Sequence, residues 1–139
     1  LKWRYFFLPG LTRSSSMEWL FRASRTNKNL KALDDDPAHT WREAVVGKDL
    51  PNGAVCAGRD NDGWVFVARS KAGDLGKLIV SVGKVRKFAF PSGACETAEV
   101  LTVEEGWIAS WVSVAKGQAL PDGVVPVGED THGQTFVVR

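Results

Sequence analysis

Residues 41–69 read WREAVVGKDLPNGAVCAGRDNDGWVFVAR, and residues 111–139 read WVSVAKGQALPDGVVPVGEDTHGQTFVVR. At an offset of 70 residues the two segments align without a gap over 29 positions, and 12 of these are identical. Unrelated segments would share about two, because a typical residue type fills roughly one position in fifteen to twenty. The identities are Trp41/Trp111, Gly47/Gly117, Leu50/Leu120, Pro51/Pro121, Gly53/Gly123, Val55/Val125, Gly58/Gly128, Asp60/Asp130, Gly63/Gly133, Phe66/Phe136, Val67/Val137 and Arg69/Arg139. The chain therefore holds two copies of one unit, and such a duplication organises everything around it.

The unit has a mechanical reading. Leu-Pro-x-Gly is a turn, with proline fixing φ and glycine open to positive φ. Val55 and Ala57 alternate as a short strand. Asp62-Gly63 marks a hairpin turn, replaced by His132-Gly133 in the second copy. Trp64 to Arg69 returns as the partner strand, with the aromatic and β-branched residues that suit a half-buried pleat. Leu78–Val82, Lys84–Phe90, Glu99–Val103 and Trp107–Val114 are further strand candidates. Short strands with turn signals about every ten residues predict an all-β sandwich or barrel. Pro126 fits an edge position rather than a central strand.

Working outward, residues 1–40 read differently. Ser15-x-x-Glu18 is a capping-box pattern, and Met17, Trp19, Leu20 and Phe21 after it predict a short helix. Polar residues follow, then Asp34-Asp35-Asp36 and Pro37, read as a solvated linker or helix cap. This stretch is assigned as a less ordered or partly helical extension, leaving one domain over 41–139 (repeat one 41–110, repeat two 111–139, truncated). Net charge is +2 over 139 residues, with 44% hydrophobic and 24% charged residues, ordinary for a globular chain. Seven Lys/Arg against four Asp/Glu in residues 1–40 place the basic excess there, and the β-domain is close to neutral. Cys56 and Cys95 form no framework or metal pattern; the sequence leaves open a bond between them, with two reduced thiols the favoured reading. No run approaches the ~20 apolar residues of a membrane helix. LKWRYFFLPGL is too short and too interrupted for a signal peptide, and no compartment is assigned. The second copy ends at Arg139 where the first continues, so a longer natural chain is expected.

The order Leu50-Pro51-Asn52-Gly53-Ala54-Val55, Ala57-Gly58-Arg59-Asp60-Asn61-Asp62-Gly63, Phe66-Val67-Ala68-Arg69, Gly73-Asp74-Leu75, Gly76-Lys77 and Glu99-Val100-Leu101 resembles the DM-nine repeat of natterin-like proteins and some invertebrate mannose-binding lectins. The resemblance covers residues 41–139. It implies two tandem, interlocking antiparallel β repeats about a pseudo-twofold axis. It also implies a sugar site around the Asp of the Gly-Arg-Asp turn and the Lys of the Gly-Lys element, here Asp60 and Lys77. In the second copy Asp130 is present, but Glu129 replaces the arginine and no Gly-Lys follows.

Those residue types suit the chemistry. A hexose presents adjacent hydroxyls that both donate and accept; a carboxylate accepts from them and an ammonium donates back through charge-assisted bonds. The expected function is a carbohydrate-binding, mannose-type recognition module without catalysis, needing no cofactor or metal. The alternative is a module of a natterin-like protein that engages protein or membrane partners without binding sugar.

The simpler readings stand beside these. Asp60 and Asp130 serve as Asx-turn residues, and Lys77 as a solvated charge. Trp41 and Trp111 are read as core packing, and Arg69 and Arg139 as strand-end hydrogen bonds or ion pairs. His39 in the linker and His132 in a turn, with Ser14–Ser16 lacking nucleophile context, disfavour an enzyme. Lys71, Lys77, Lys84, Arg86 and Lys87 with Phe88 and Phe90 read as a solvated strand face rather than a nucleic-acid surface. Membrane binding is not evident, and a homodimer is left open.

Overall fold

The structure is a computed structural model, and it describes residues 4–7, 18–25, 39–115, 118–121, 124, 126–130 and 133–138. Among these the chain is all-β: β1 (Arg4–Phe7), β2 (Glu18–Arg25), β3 (His39–Val45), β4 (Cys56–Asp60), β5 (Gly63–Arg69), β6 (Leu75–Ser81), β7 (Lys84–Ala89), β8 (Thr97–Val103), β9 (Trp107–Val114), β10 (Gly128–Asp130) and β11 (Gly133–Val138). Two sheets form, ordered β1-β11-β2-β9 with β10 against β11, and β3-β8-β5-β6-β7 with β4 against β5.

The duplication reappears as a duplicated register. Gly58↔Val65, Arg59↔Trp64 and Asp60↔Gly63 pair in the first hairpin. Gly128↔Thr135, Glu129↔Gln134 and Asp130↔Gly133 pair in the second. The strand beyond each hairpin follows the same rule. Ala68 of β5 pairs with Val100 of β8, as Val138 of β11 pairs with Leu20 of β2. Trp41 pairs with Leu101, as Trp111 pairs with Phe21. Two isolated bridges complete the match, Ala54↔Thr102 and Arg22↔Val124. Thus β8, which leads into the second copy, is built into the first copy's sheet, and β2, which leads towards the first copy, is built into the second copy's sheet. The repeats interlock.

Two expectations are corrected by this. The helix expected after Ser15-x-x-Glu18 is a strand: Glu18–Arg25 makes an antiparallel ladder of eight residue pairs with β9. A capping pattern is a weak local preference, and a full ladder overrides it. Nor do the described residues of the 1–40 stretch stand apart from the β-domain, since β1 and β2 lie on either side of β11. Where β6 runs antiparallel beside β5, β1 runs parallel beside β11. Ser15, the Asp34–Asp36 run, His132 and Arg139 lie outside the described residues.

The strand alternation seen in the sequence sorts side chains into two cores. Val65 and Val67 of β5 join Ile79, Leu101, Ala23 and Val137 in a cluster drawn from both sheets. Phe66 and Ala68, on the opposite face of the same strand, join Leu78, Phe88, Val100 and others in a cluster drawn from the six-stranded sheet and its loops. Trp41, Trp107 and Trp111 are partly buried at the margin of the inter-sheet cluster, and the Trp111 indole N–H donates to the Cys56 carbonyl at 2.8 Å, tying β9 to β4. Cys56 and Cys95 are free thiols, as read.

Candidate functional site

The first hairpin turns at Asn61-Asp62, and Asp60 closes that turn from within. Its Oδ1 accepts from the Asp62 N–H at 2.8 Å and the Gly63 N–H at 3.2 Å, an Asx turn made by the carboxylate itself. Its Oδ2 accepts from Lys77 Nζ at 2.9 Å. Aspartate at this position therefore has two tasks, one for each oxygen.

Lys77 arrives from β6, where it stands opposite Val67 and two residues from Ile79. Pleating puts it on the face that carries the inter-sheet core, so its methylene stem covers apolar surface and its ammonium reaches the hairpin end. Gly76 lets this happen. A Cβ there would run into the Ala89 carbonyl and the Phe90 ring, so the glycine of Gly-Lys is a packing requirement of β6 against β7.

Asp60 and Lys77 side chains are only 8% and 14% exposed. Burial pushes the Asp60 carboxyl pKa up, but the Lys77 hydrogen bond, the Asp62 N–H, the Lys77 charge and the Gly63 N–H together outweigh it and leave it below the ordinary 3.8. The carboxylate is thus held ionised, with a thin edge of the ion pair reaching solvent.

Of the residues singled out in the sequence, Asp60 and Lys77 are brought together. Asp130 takes the matching backbone position, pairing with Gly133; its side chain lies outside the described residues. Beside Val137, the place that Lys77 fills beside Val67 is taken by Phe6. The basic stretch is largely paired with acids: Lys84 with Asp49, Lys87 with Asp62, and Lys77 with Asp60. Phe88 and Phe90 are buried and stacked on each other at 6.1 Å, so neither is presented for base stacking. His39 is half-buried, and its pKa is lowered by burial and by the Arg69 charge.

Arg69 makes the strand-end ion pair expected of it, its Nε and Nη2 donating to Glu99 Oε2 at 2.9 and 2.6 Å. Two ring contacts were not foreseen. Arg69 also lies over the Trp41 ring at 4.4 Å. The first and last residues of the repeat unit thus meet, and their shared identity in both copies was the signal for it. Arg59 lies over Trp64 at 5.4 Å, directly across the hairpin. Trp64 is 51% exposed and stands on the hairpin face opposite Asp60.

Compared with protein-family models, with characterised proteins and with solved structures, the chain matches none of them.

Proposed function

We propose that this chain is a non-catalytic, lectin-like carbohydrate-binding module for mannose-type glycans, with Asp60 and Lys77 of the first copy as its binding pair. The observation that carries the reading is the Asp60–Lys77 ion pair, a carboxylate and an ammonium 2.9 Å apart. They come from different strands and are fixed at the end of a hairpin. The two backbone N–H bonds to Oδ1 hold the carboxylate in place, so little ordering remains to be done when a ligand arrives. Neighbouring hexose hydroxyls donate to Asp60 and accept from Lys77, exchanging part of the ion pair for bonds to sugar. Because the pair is so little exposed, contact with one sugar is small and single-site affinity weak. Useful binding then depends on several sites engaged together.

A second reading, an interaction module without sugar binding, draws on two exposed apolar residues at neighbouring hairpin ends, Trp64 at 51% and Val82 at 96%. A glycan array probed with multivalently displayed chain separates the two. The lectin reading expects mannose-type hits that vanish in Asp60→Asn and Lys77→Met variants whose circular dichroism is unchanged. A folded, multivalent sample that binds no glycan sinks it.

A further inference from the structure

In the first hairpin Arg59 pairs with Trp64, between the pairs Gly58↔Val65 and Asp60↔Gly63. In the second hairpin the same positions hold Glu129↔Gln134. Around this pair the copies agree, with Gly58/Gly128, Asp60/Asp130 and Gly63/Gly133 identical. The hairpin therefore forms with either pair, and its backbone does not call for an arginine lying on a tryptophan. That combination belongs to the first copy alone.

Pleating sets Arg59 and Trp64 on the face opposite Asp60 and Lys77. Their rung runs on across the sheet through Val80 and Val85. Those two valines are buried, in a cluster against which Val46 and Leu50 pack. Trp64, by contrast, is 51% exposed, and Arg59 is exposed beside it. A single exposed apolar side chain is ordinary on a protein surface. This one carries a guanidinium 5.4 Å from its ring centroid, within the ~6 Å range of a cation–π contact.

The charge balance around the hairpin is uneven. Asp60 is held by Lys77, Asp62 by Lys87 and Asp49 by Lys84. Among the described residues no acid pairs with Arg59. Its guanidinium is steadied by the indole rather than neutralised by a carboxylate.

The geometry points to Arg59 and Trp64 as a second ligand site, for a pyranose that bears one carboxylate, the chemistry of a hexuronic acid. A guanidinium presents parallel N–H donors to a carboxylate in bidentate fashion. Resting on the indole, it has less freedom to lose when the ligand arrives. The exposed indole is a broad apolar plane with a polar tip, matched to the C–H face of a sugar ring and to its hydroxyl rim. One guanidinium answers one carboxylate, whereas a nucleic acid strand calls for a groove lined with several cations. The site lies on the face away from the Asp60–Lys77 pair, so either can fail without the other.

Titration of the whole chain with glucuronate, followed at the Arg59 Nε–H and Trp64 Nε1–H resonances, tests it. Both should shift in a saturable way in the millimolar range. Arg59→Glu and Trp64→Gln should each weaken binding about tenfold. These variants give the first hairpin the residues that the second already carries, and circular dichroism checks that the fold survives. Methyl glucoside supplies the ring without the charge and acetate the charge without the ring. Each should bind the unchanged chain about tenfold more weakly than glucuronate, a comparison that stands even if a variant folds poorly. Glucuronate that moves neither resonance, acetate or methyl glucoside that matches it, or a mononucleotide that binds more tightly overturns the proposal.

Discussion

Lys77 Nζ donates to Asp60 Oδ2 at 2.9 Å across a separation of 17 residues, while the other oxygen of the same carboxylate holds the hairpin turn. Because both oxygens are engaged and the side chain is 8% exposed, the two partners contribute unequally. Asp60→Ala removes the ion pair and the turn bonds together and is expected to cost about 2–4 kcal/mol. Lys77→Met keeps the apolar stem and leaves the turn, and is expected to cost about 1–2 kcal/mol. Urea unfolding of both variants checks the order; a Lys77→Met at least as destabilising as Asp60→Ala would contradict it. With the folded pKa of Asp60 depressed, this stabilisation is present above the ordinary value of 3.8 and is lost as pH falls through the folded value.

The hairpins and β6 to β9 were legible because turn residues and period-two alternation agree there. Candidate strands at 64–69, 78–82, 84–90, 99–103 and 107–114 correspond to β5 to β9 with shifts of a few residues at the ends. The role of residues 18–25 was not legible. The offset that aligns Trp41 with Trp111 is 70, whereas Leu20 and Phe21 correspond to Val100 and Leu101 at an offset of 80. The difference lies in the connections, residues 26–38 in one copy and 104–106 in the other. A gap-free comparison cannot cross it, and the capping-box pattern at Ser15 pointed to a helix instead. At the site, Asp60 and Lys77 could be named, but their mutual burial could not, since it depends on Gly76 admitting Phe90 against β6.

The interlock carries its own consequence. The fragment 41–139 lacks β2, which pairs with β9 along eight residues and bridges it to β11. It is expected to lose the sharp thermal transition and near-ultraviolet circular dichroism of the whole chain. A fragment melting as cooperatively, and at the same temperature, would mean that β2 adds nothing to the second copy.

His39 begins β3 with its pKa lowered, chiefly by burial and then by the Arg69 charge. A folded pKa below the unfolded one means that the unfolded chain takes up the proton first as pH falls. Stability from His39 is complete above its ordinary value of 6.5, declines as pH drops from there to the folded pKa, and then levels. Imidazole resonances should titrate with a midpoint below 6.5, moving up in Arg69→Gln. A midpoint at or above 6.5 in the parent chain would refute this.

Val82 has φ of 53° and is followed by Gly83 at 72°, in the two-residue turn between β6 and β7. A β-branched residue is strained in the left-handed region, whereas Asn-Gly is the favoured pair for this turn. Val82 is 96% exposed, so no packing is lost on replacement. Val82→Asn is expected to stabilise the chain by about 0.5–1 kcal/mol, read as a higher urea midpoint at unchanged slope. A lower midpoint would show that the valine is held there by contacts of its own.

The central claim concerns the pair at the end of the first hairpin. Amide resonances followed during titration with mannose test it most directly. Binding at the proposed site shifts Asp60 to Gly63 and Lys77 in a saturable way and leaves β9 and the β3 edge unmoved, and the shifts disappear in Asp60→Asn. Mannose that moves no resonance to high millimolar concentration, or moves a different set that survives Asp60→Asn, would contradict the account.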